Sequence, residues 1–164
     1  MTDPLLNHPL LSFRYFFPRL CRLPRVFWID CGDARLGCFY HETDLAARTV
    51  VHFHGNGETV EDYLGDFVTS VAALGCNLLL AEYRGYGMST GAPLLGRMLD
   101  DVAKVVRACG KPPEELILFG RSVGSLFAIR GARLFPRIAG LVIESGIADP
   151  MERLLMRGDR KSVV

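Results

Sequence analysis

Histidine is scarce and one-sided in this 164-residue chain: His8, His41, His52 and His54 are the whole supply, and nothing beyond position 54 offers an imidazole. A charge excess is lacking too. With 19 basic against 18 acidic side chains the net charge is +1, which removes the global field that would argue for nucleic acid or an anionic partner. No apolar run is long enough to span a bilayer, and residues 1–20 lack a basic stretch followed by an apolar one and a small-residue cleavage site. A cytoplasmic location is the resulting expectation. Cys21, Cys31, Cys38, Cys76 and Cys109 are odd in number, scattered and without metal-ligand spacing, the pattern of reduced structural thiols. Internal repeats and low-complexity linkers are missing as well. What is present is 49% hydrophobic and 23% charged residues, the composition of one globular domain with a real core.

Along the chain, RVFWIDC (25–31) and LGCFYHE (36–42) are β-rich runs separated by Gly32-Asp33-Ala34-Arg35, which predicts an antiparallel hairpin. TVVHFHG (49–55) reads as a strand. Val60, Leu64, Phe67, Val68, Val71 and Leu74 then recur at three and four, predicting one helix with Glu58, Glu61, Asp62 and Asp66 on its wet face. CNLLLAEYRG (76–85) is a third core run. Leu95, Met98, Leu99, Val102, Val106 and Cys109 mark an amphipathic helix closed by Gly110 and Pro112. AGLVIES (139–145) is a further buried strand, and Asp149-Pro150 opens a helix expected over 151–156. A hairpin followed by alternating strands and helices predicts an α/β fold, a mostly parallel sheet with helices on both faces and ligands at the carboxyl ends of its strands. The expected division is an N-terminal arm (1–24), an α/β domain (25–156) and a tail (157–164).

The chemistry gathers at Gly120-Arg121-Ser122-Val123-Gly124. A bare GxSxG is weak evidence, but here Leu116, Ile117, Leu118 and Phe119 precede it as a buried strand, while Val123, Leu126, Phe127, Ala128 and Ile129 follow as an apolar helix. That context reads as a nucleophile elbow, a serine on a sharp strand-to-helix turn with small residues two before and two after it. A strand running into a Gly-rich loop is the bland alternative, and it gives no reason to bury both flanks. His54-Gly55-Asn56-Gly57 opens from another strand end, where backbone N–H groups can face a developing oxyanion.

The ordered set HFHGNGE, AEYRGYGMSTG, FGRSVGS and LVIESGIADP is similar to the α/β-hydrolase superfamily, in particular to small serine hydrolases whose loops read HGN, DYRGYGxSxG and GRSxG. The similarity runs from about Arg25 to Asp149. It implies that Ser122 is a nucleophile, that Asn56 and Val123 supply oxyanion-hole N–H groups, and that Arg84, Gly85, Tyr86 and Gly87 form a structural loop, with Glu82 where the family usually has Asp. The implied reaction is acyl transfer to water from a small-molecule or acyl-group substrate, an ester or thioester before an amide. No cofactor, metal or nucleic acid is implied.

The family's triad runs serine, acid, histidine, with acid and base after the last strands. No histidine follows Ser122 here, and the 139–145 strand has no successor to cover its apolar edge. The resemblance therefore implies the N-terminal part of a longer, C-terminally truncated hydrolase, with activity impaired in these residues alone. A pseudoenzyme or binding module, or a non-functional fragment, is the rival. Asp149 is a candidate acid, with helix capping as its competing role. His54 is a candidate surrogate base, with shaping of the oxyanion loop as its competing role. His52 and His54 share a strand face as a metal pair would, yet no further ligands follow. Gly85 to Gly91 mimics a dinucleotide loop, but its third glycine is one place late and Pro93 follows, which excludes a nicotinamide. Residues 13–25 mix aromatics with Arg14, Arg19, Arg22 and Arg25 and suit either a membrane surface or packing on the sheet with snorkelled arginines. Arg157-Gly158-Asp159 reads as chance, and the oligomeric state is open.

Overall fold

Apolar residues on both sides of the backbone make β3 (Thr49–Phe53) and β4 (Asn77–Ala81) the centre of the molecule, and every residue of both strands is buried. The computed structural model describes residues 4–149. Its sheet has six strands in the order β1-β2-β4-β3-β5-β6, with β1 (Phe27–Asp30) and β2 (Arg35–His41) forming the predicted hairpin. β2 runs antiparallel to β4, whereas β4, β3, β5 (Leu116–Arg121) and β6 (Gly140–Glu144) are parallel. In register, Val51 lies between Leu79 and Leu118, and Phe53 between Ala81 and Gly120.

Alternation along the parallel strands builds two cores. Val51, Phe53, Leu79 and Leu118 pack with Val102, Val105 and Phe127 of α3 (Leu95–Ala108) and α4 (Gly124–Leu134). Val50, Leu78 and Leu80 pack with Val71 of α2 (Asp66–Ala73) on the other face. Each fully buried leucine here contributes roughly 1.5–3 kcal/mol. Because α2 follows β3 on one face and α4 follows β5 on the other, the chain diverges where it leaves these neighbouring strands. In open α/β sheets such a divergence is where ligands bind, at the carboxyl ends of the strands. At the outer edge of the sheet, Leu141, Val142 and Ile143 of β6 are exposed.

Two local departures have identifiable causes. The single helix expected from Val60 to Leu74 is split into a 3₁₀ turn (Val60–Tyr63) and α2, because Thr59 and Asp62 form a capping box that fixes the first turn and Gly65 interrupts the second. The arm also contains a helix that periodicity did not reveal, α1 (Pro9–Tyr15), started by Pro9 and capped by the His8 ring, which accepts the Leu10 N–H. The segments 151–156 and 157–164 lie outside the described residues.

His52 is not placed as half of a ligand pair. Its ring is surrounded by those of Tyr63, Phe67 and Phe119 at 4.4, 4.8 and 5.0 Å. Burial, helped by the charges of His54 and Arg121, pulls its pKa down to about 3. An unfolded chain takes up a proton on this ring below about 6.5, whereas the folded one resists until about 3, so unfolding binds a proton in that window. Stability is therefore expected to fall as pH drops from 6.5 toward 3, by about 2 kcal/mol between pH 6.5 and 5 from this group. Urea midpoints measured across that range should show a shallower slope in His52→Leu than in the parent chain, and equal slopes would refute the assignment.

Candidate active site

Ser122 is held in a backbone conformation that side chains rarely adopt. Its φ is 51°, in the left-handed region that costs a residue with a Cβ about 1–2 kcal/mol. The surrounding packing imposes it. A Cβ on Gly120 would come within 2.5 Å of the Gly124 carbonyl oxygen, and one on Gly124 would overlap the carbonyl oxygen of Phe53. Only hydrogens at these two positions let β5 turn into α4 while α4 presses on the end of β3. The turn is then tied from three sides. The Ser122 N–H donates to the Glu144 carbonyl at 2.9 Å. Ser125 Oγ donates to the Ser122 carbonyl at 2.6 Å and accepts the Ile147 N–H at 3.1 Å.

The neighbouring loop, residues 54–58, is fixed by buried polar groups. His54 Nδ1 donates to the Gly55 carbonyl at 2.8 Å, and Nε2 lies 2.6 Å from Glu82 Oε1. The Glu82 carboxylate also accepts the N–H groups of Val60 and Tyr83, while the Tyr83 hydroxyl donates to the His54 carbonyl. Both ring nitrogens of His54 are thereby committed within the loop. Asn56 uses its whole side chain as a staple: Oδ1 accepts from the Phe17 N–H and the Tyr86 hydroxyl, and Nδ2 donates to the Tyr15 carbonyl. Among the described residues no protein acceptor engages the backbone N–H of Asn56 or of Val123.

A third group joins loop and elbow. Glu58 accepts the Gly55 N–H at 2.7 Å and the Tyr63 hydroxyl at 2.6 Å through Oε2, and pairs through Oε1 with the Arg121 guanidinium. Arg121 also reaches Glu144 at 3.3 Å. Burial, reinforced by the charges of Glu144 and Asp62, pushes the Tyr63 hydroxyl up to about 12, so it remains a donor. The next loop is anchored separately: Arg84 makes a bidentate pair with Asp101 and a further bond to Asp33. These bonds raise the Arg84 pKa above its ordinary value. Burial pushes the Cys31 and Cys109 thiols up to about 12, which fits inert thiols.

The predicted residues thus fall into two groups. Ser122, Val123 and Asn56 leave the adjacent parallel strands β5 and β3 at the same edge. Asp149 is exposed beyond β6, and its expected helix lies outside the described residues. Glu58, read from periodicity as part of a wet helix face, instead bonds the 54–58 loop. Glu82 and His54 had a readable signal, since each is a polar residue closing an apolar strand run and the two strands are neighbours. Arg121 had none, because its partners come from two remote segments.

The 45–160 span matches the family model described as serine aminopeptidase, S33. Among curated proteins, the chain is 29% identical over 99 residues to the mouse α/β hydrolase domain-containing protein 17C, covering 57% of this chain and 31% of that one. It is 28% identical over 111 residues to the Escherichia coli protein YfhR, covering 64% and 39%. The chain therefore spans about a third of the length of the curated relatives it matches. Among solved structures, an esterase from Pyrococcus furiosus superposes with a TM-score of 0.72 at 18% identity, over 91% of this chain and 62% of that one. A CIB-like hydrolase from Thermoplasma acidophilum gives 0.64 at 21% identity, over 74% and 62%. These similarities establish the fold.

Gly124→Ala is expected to destabilise the chain by about 2–4 kcal/mol through overpacking, read as a lower urea midpoint. Arg121→Ala should raise hydrogen exchange at the Gly55 amide by about tenfold with only a small change in melting temperature, and Arg121→Lys should restore part of the protection. Unchanged exchange would show that the ion pair does not hold the loop.

Proposed function

The chain belongs to the serine aminopeptidase S33 family of the α/β-hydrolase superfamily, and on that premise we propose that it uses Ser122 as the nucleophile of a serine hydrolase. The observation that carries this reading is the left-handed Ser122 between two glycines that admit no side chain. In the proposed sequence Ser122 Oγ attacks the carbonyl carbon of an ester, thioester or amide and passes its proton to a base. The N–H groups of Asn56 and Val123 hold the oxyanion, the leaving group departs with a proton, and water releases the acyl group by the reverse steps. Ester and thioester substrates are favoured because their leaving groups need less help from an acid. Arg121 and Glu58 act as positioning residues that keep the Asn56 amide in register with the elbow.

The proton acceptor is the weak point of these 164 residues. His8 caps α1, His41 lies on β2 across the sheet, His52 sits among aromatic rings, and His54 is bonded at both nitrogens. Asp149 remains a proposed acid of the second rank. The second reading is a binding module, in which the same edge of the sheet holds a ligand without covalent chemistry. The two readings separate in one experiment. A fluorophosphonate should label the parent chain slowly and leave Ser122→Ala unlabelled, whereas no labelling of either supports the binding module.

For the 164-residue chain, hydrolysis of p-nitrophenyl esters is expected near background, with added imidazole raising a Ser122-dependent rate. Efficient turnover without imidazole would show that a base has been overlooked. With a base in place, removal of an oxyanion donor would lower turnover by about 10²–10³.

A further inference from the structure

The N-terminal arm presents two unlike faces. Inward, Tyr15 and Phe16 enter the main core, Asn56 is bonded to the backbone of Tyr15 and Phe17, and the Arg19 carbonyl accepts the Gly87 N–H at 2.7 Å. Outward, α1 also leaves two apolar residues in the open, although Leu11 and Tyr15 pack on the core. Leu10 and Phe13, spaced i and i+3, are 61% and 76% exposed, and Arg14 follows on the same face. Phe17 is 41% exposed beside it, and Leu20, 85% exposed, lies at a second open pocket with Arg22 and Glu61. With Phe16 and Pro18, Phe13 and Phe17 line an open groove of about 750 Å³ that reaches Gly57 and Pro93. A helix of an ordinary globular domain turns such residues to the core.

The charge pattern says what this face suits. From Pro4 to Ile29 there is no acidic residue, while Arg14, Arg19, Arg22 and Arg25 fall within that span. Arg19 is committed to Asp62 and Arg25 donates to the Tyr40 carbonyl, whereas Arg14 and Arg22 are exposed. Exposed phenylalanine and leucine interleaved with arginine, with no acid among them, are the composition of a segment lying in a membrane interface. No helix among the described residues is long and apolar enough to cross a bilayer.

We propose that the outer face of the arm docks on an anionic lipid bilayer, with Leu10, Phe13 and Phe17 at the boundary of headgroups and acyl chains and Arg14 and Arg22 on lipid phosphates. Since the inner face is bonded to Asn56, docking keeps the 54–58 loop close to the lipid. The inference does not depend on chemistry at Ser122.

Co-sedimentation of the full chain with phosphatidylcholine vesicles, with and without phosphatidylserine, tests it. Binding is expected to the vesicles containing phosphatidylserine and to weaken with salt. It should fall about fivefold for each of Arg14→Gln and Arg22→Gln, and by about tenfold or more in the Phe13→Ser, Phe17→Ser double variant. Because these side chains are exposed, unchanged melting curves will separate lost binding from lost folding. No sedimentation with either vesicle overturns the proposal, as does binding that survives the double variant. Self-association abolished by the double variant, without lipid binding, overturns it in favour of a second copy of the chain.

Discussion

Everything at the carboxyl edge of this sheet depends on one steric fact: the first turn of α4 rests against the carbonyl groups at the end of β3. A side chain at Gly124 would collide there, and one at Gly120 would push β5 away from α4. With both absent, the turn between them has little choice of backbone path. Ser122 is forced into the left-handed region, Val123 begins the helix, and the N–H of Val123 comes to the edge shared with the 54–58 loop. The strain at Ser122 is offset by the two cores on either side of the parallel strands and by the bonds that Ser125 and Glu144 make around it.

Polar burial then does for the loops what apolar burial does for the strands. His54 with Glu82, and Arg84 with Asp101, are charged or polar groups placed where water is excluded, each satisfied by several partners. Such pairs add little net stability over an apolar substitute, but an unpaired member is costly. Their effect here is to penalise any other path for the loops after β3 and β4. Glu58 and Arg121 are more exposed and link the two loops that Ser122 chemistry would use.

The strands and the elbow were legible because their signals are local. Val50 to Phe53, Leu78 to Ala81 and Leu116 to Phe119 carry their burial in composition, and the glycines around Ser122 carry the turn. The helix that breaks at Gly65 was misjudged because apolar spacing alone cannot see a capping box override it. Glu58 and Arg121 were missed for a different reason. An ion pair across 63 positions of sequence leaves no periodic trace, and an acidic residue near a helix start reads as solvated. The arm's helix was hidden because it is short and its apolar residues divide between two sides, Leu11 and Tyr15 toward the core and Leu10 and Phe13 outward, which leaves no single apolar face to recognise.

The arm's anchoring also sets an order in time. Its partners lie far along the chain: Asn56 meets Phe17 across 39 positions, Tyr86 meets Phe17 across 69, and the Arg97 N–H meets Asn7 across 90. Synthesis delivers the arm before its partners, so these bonds wait in turn for the loop after β3, the loop after β4 and the start of α3, and closing such long loops is slow. The arm is thus made before these partners and settles only after them. Although Tyr15 and Phe16 reach the core, the arm's hydrogen bonds to the body are long-range, and it is expected to open before the central parallel strands when the folded chain breathes.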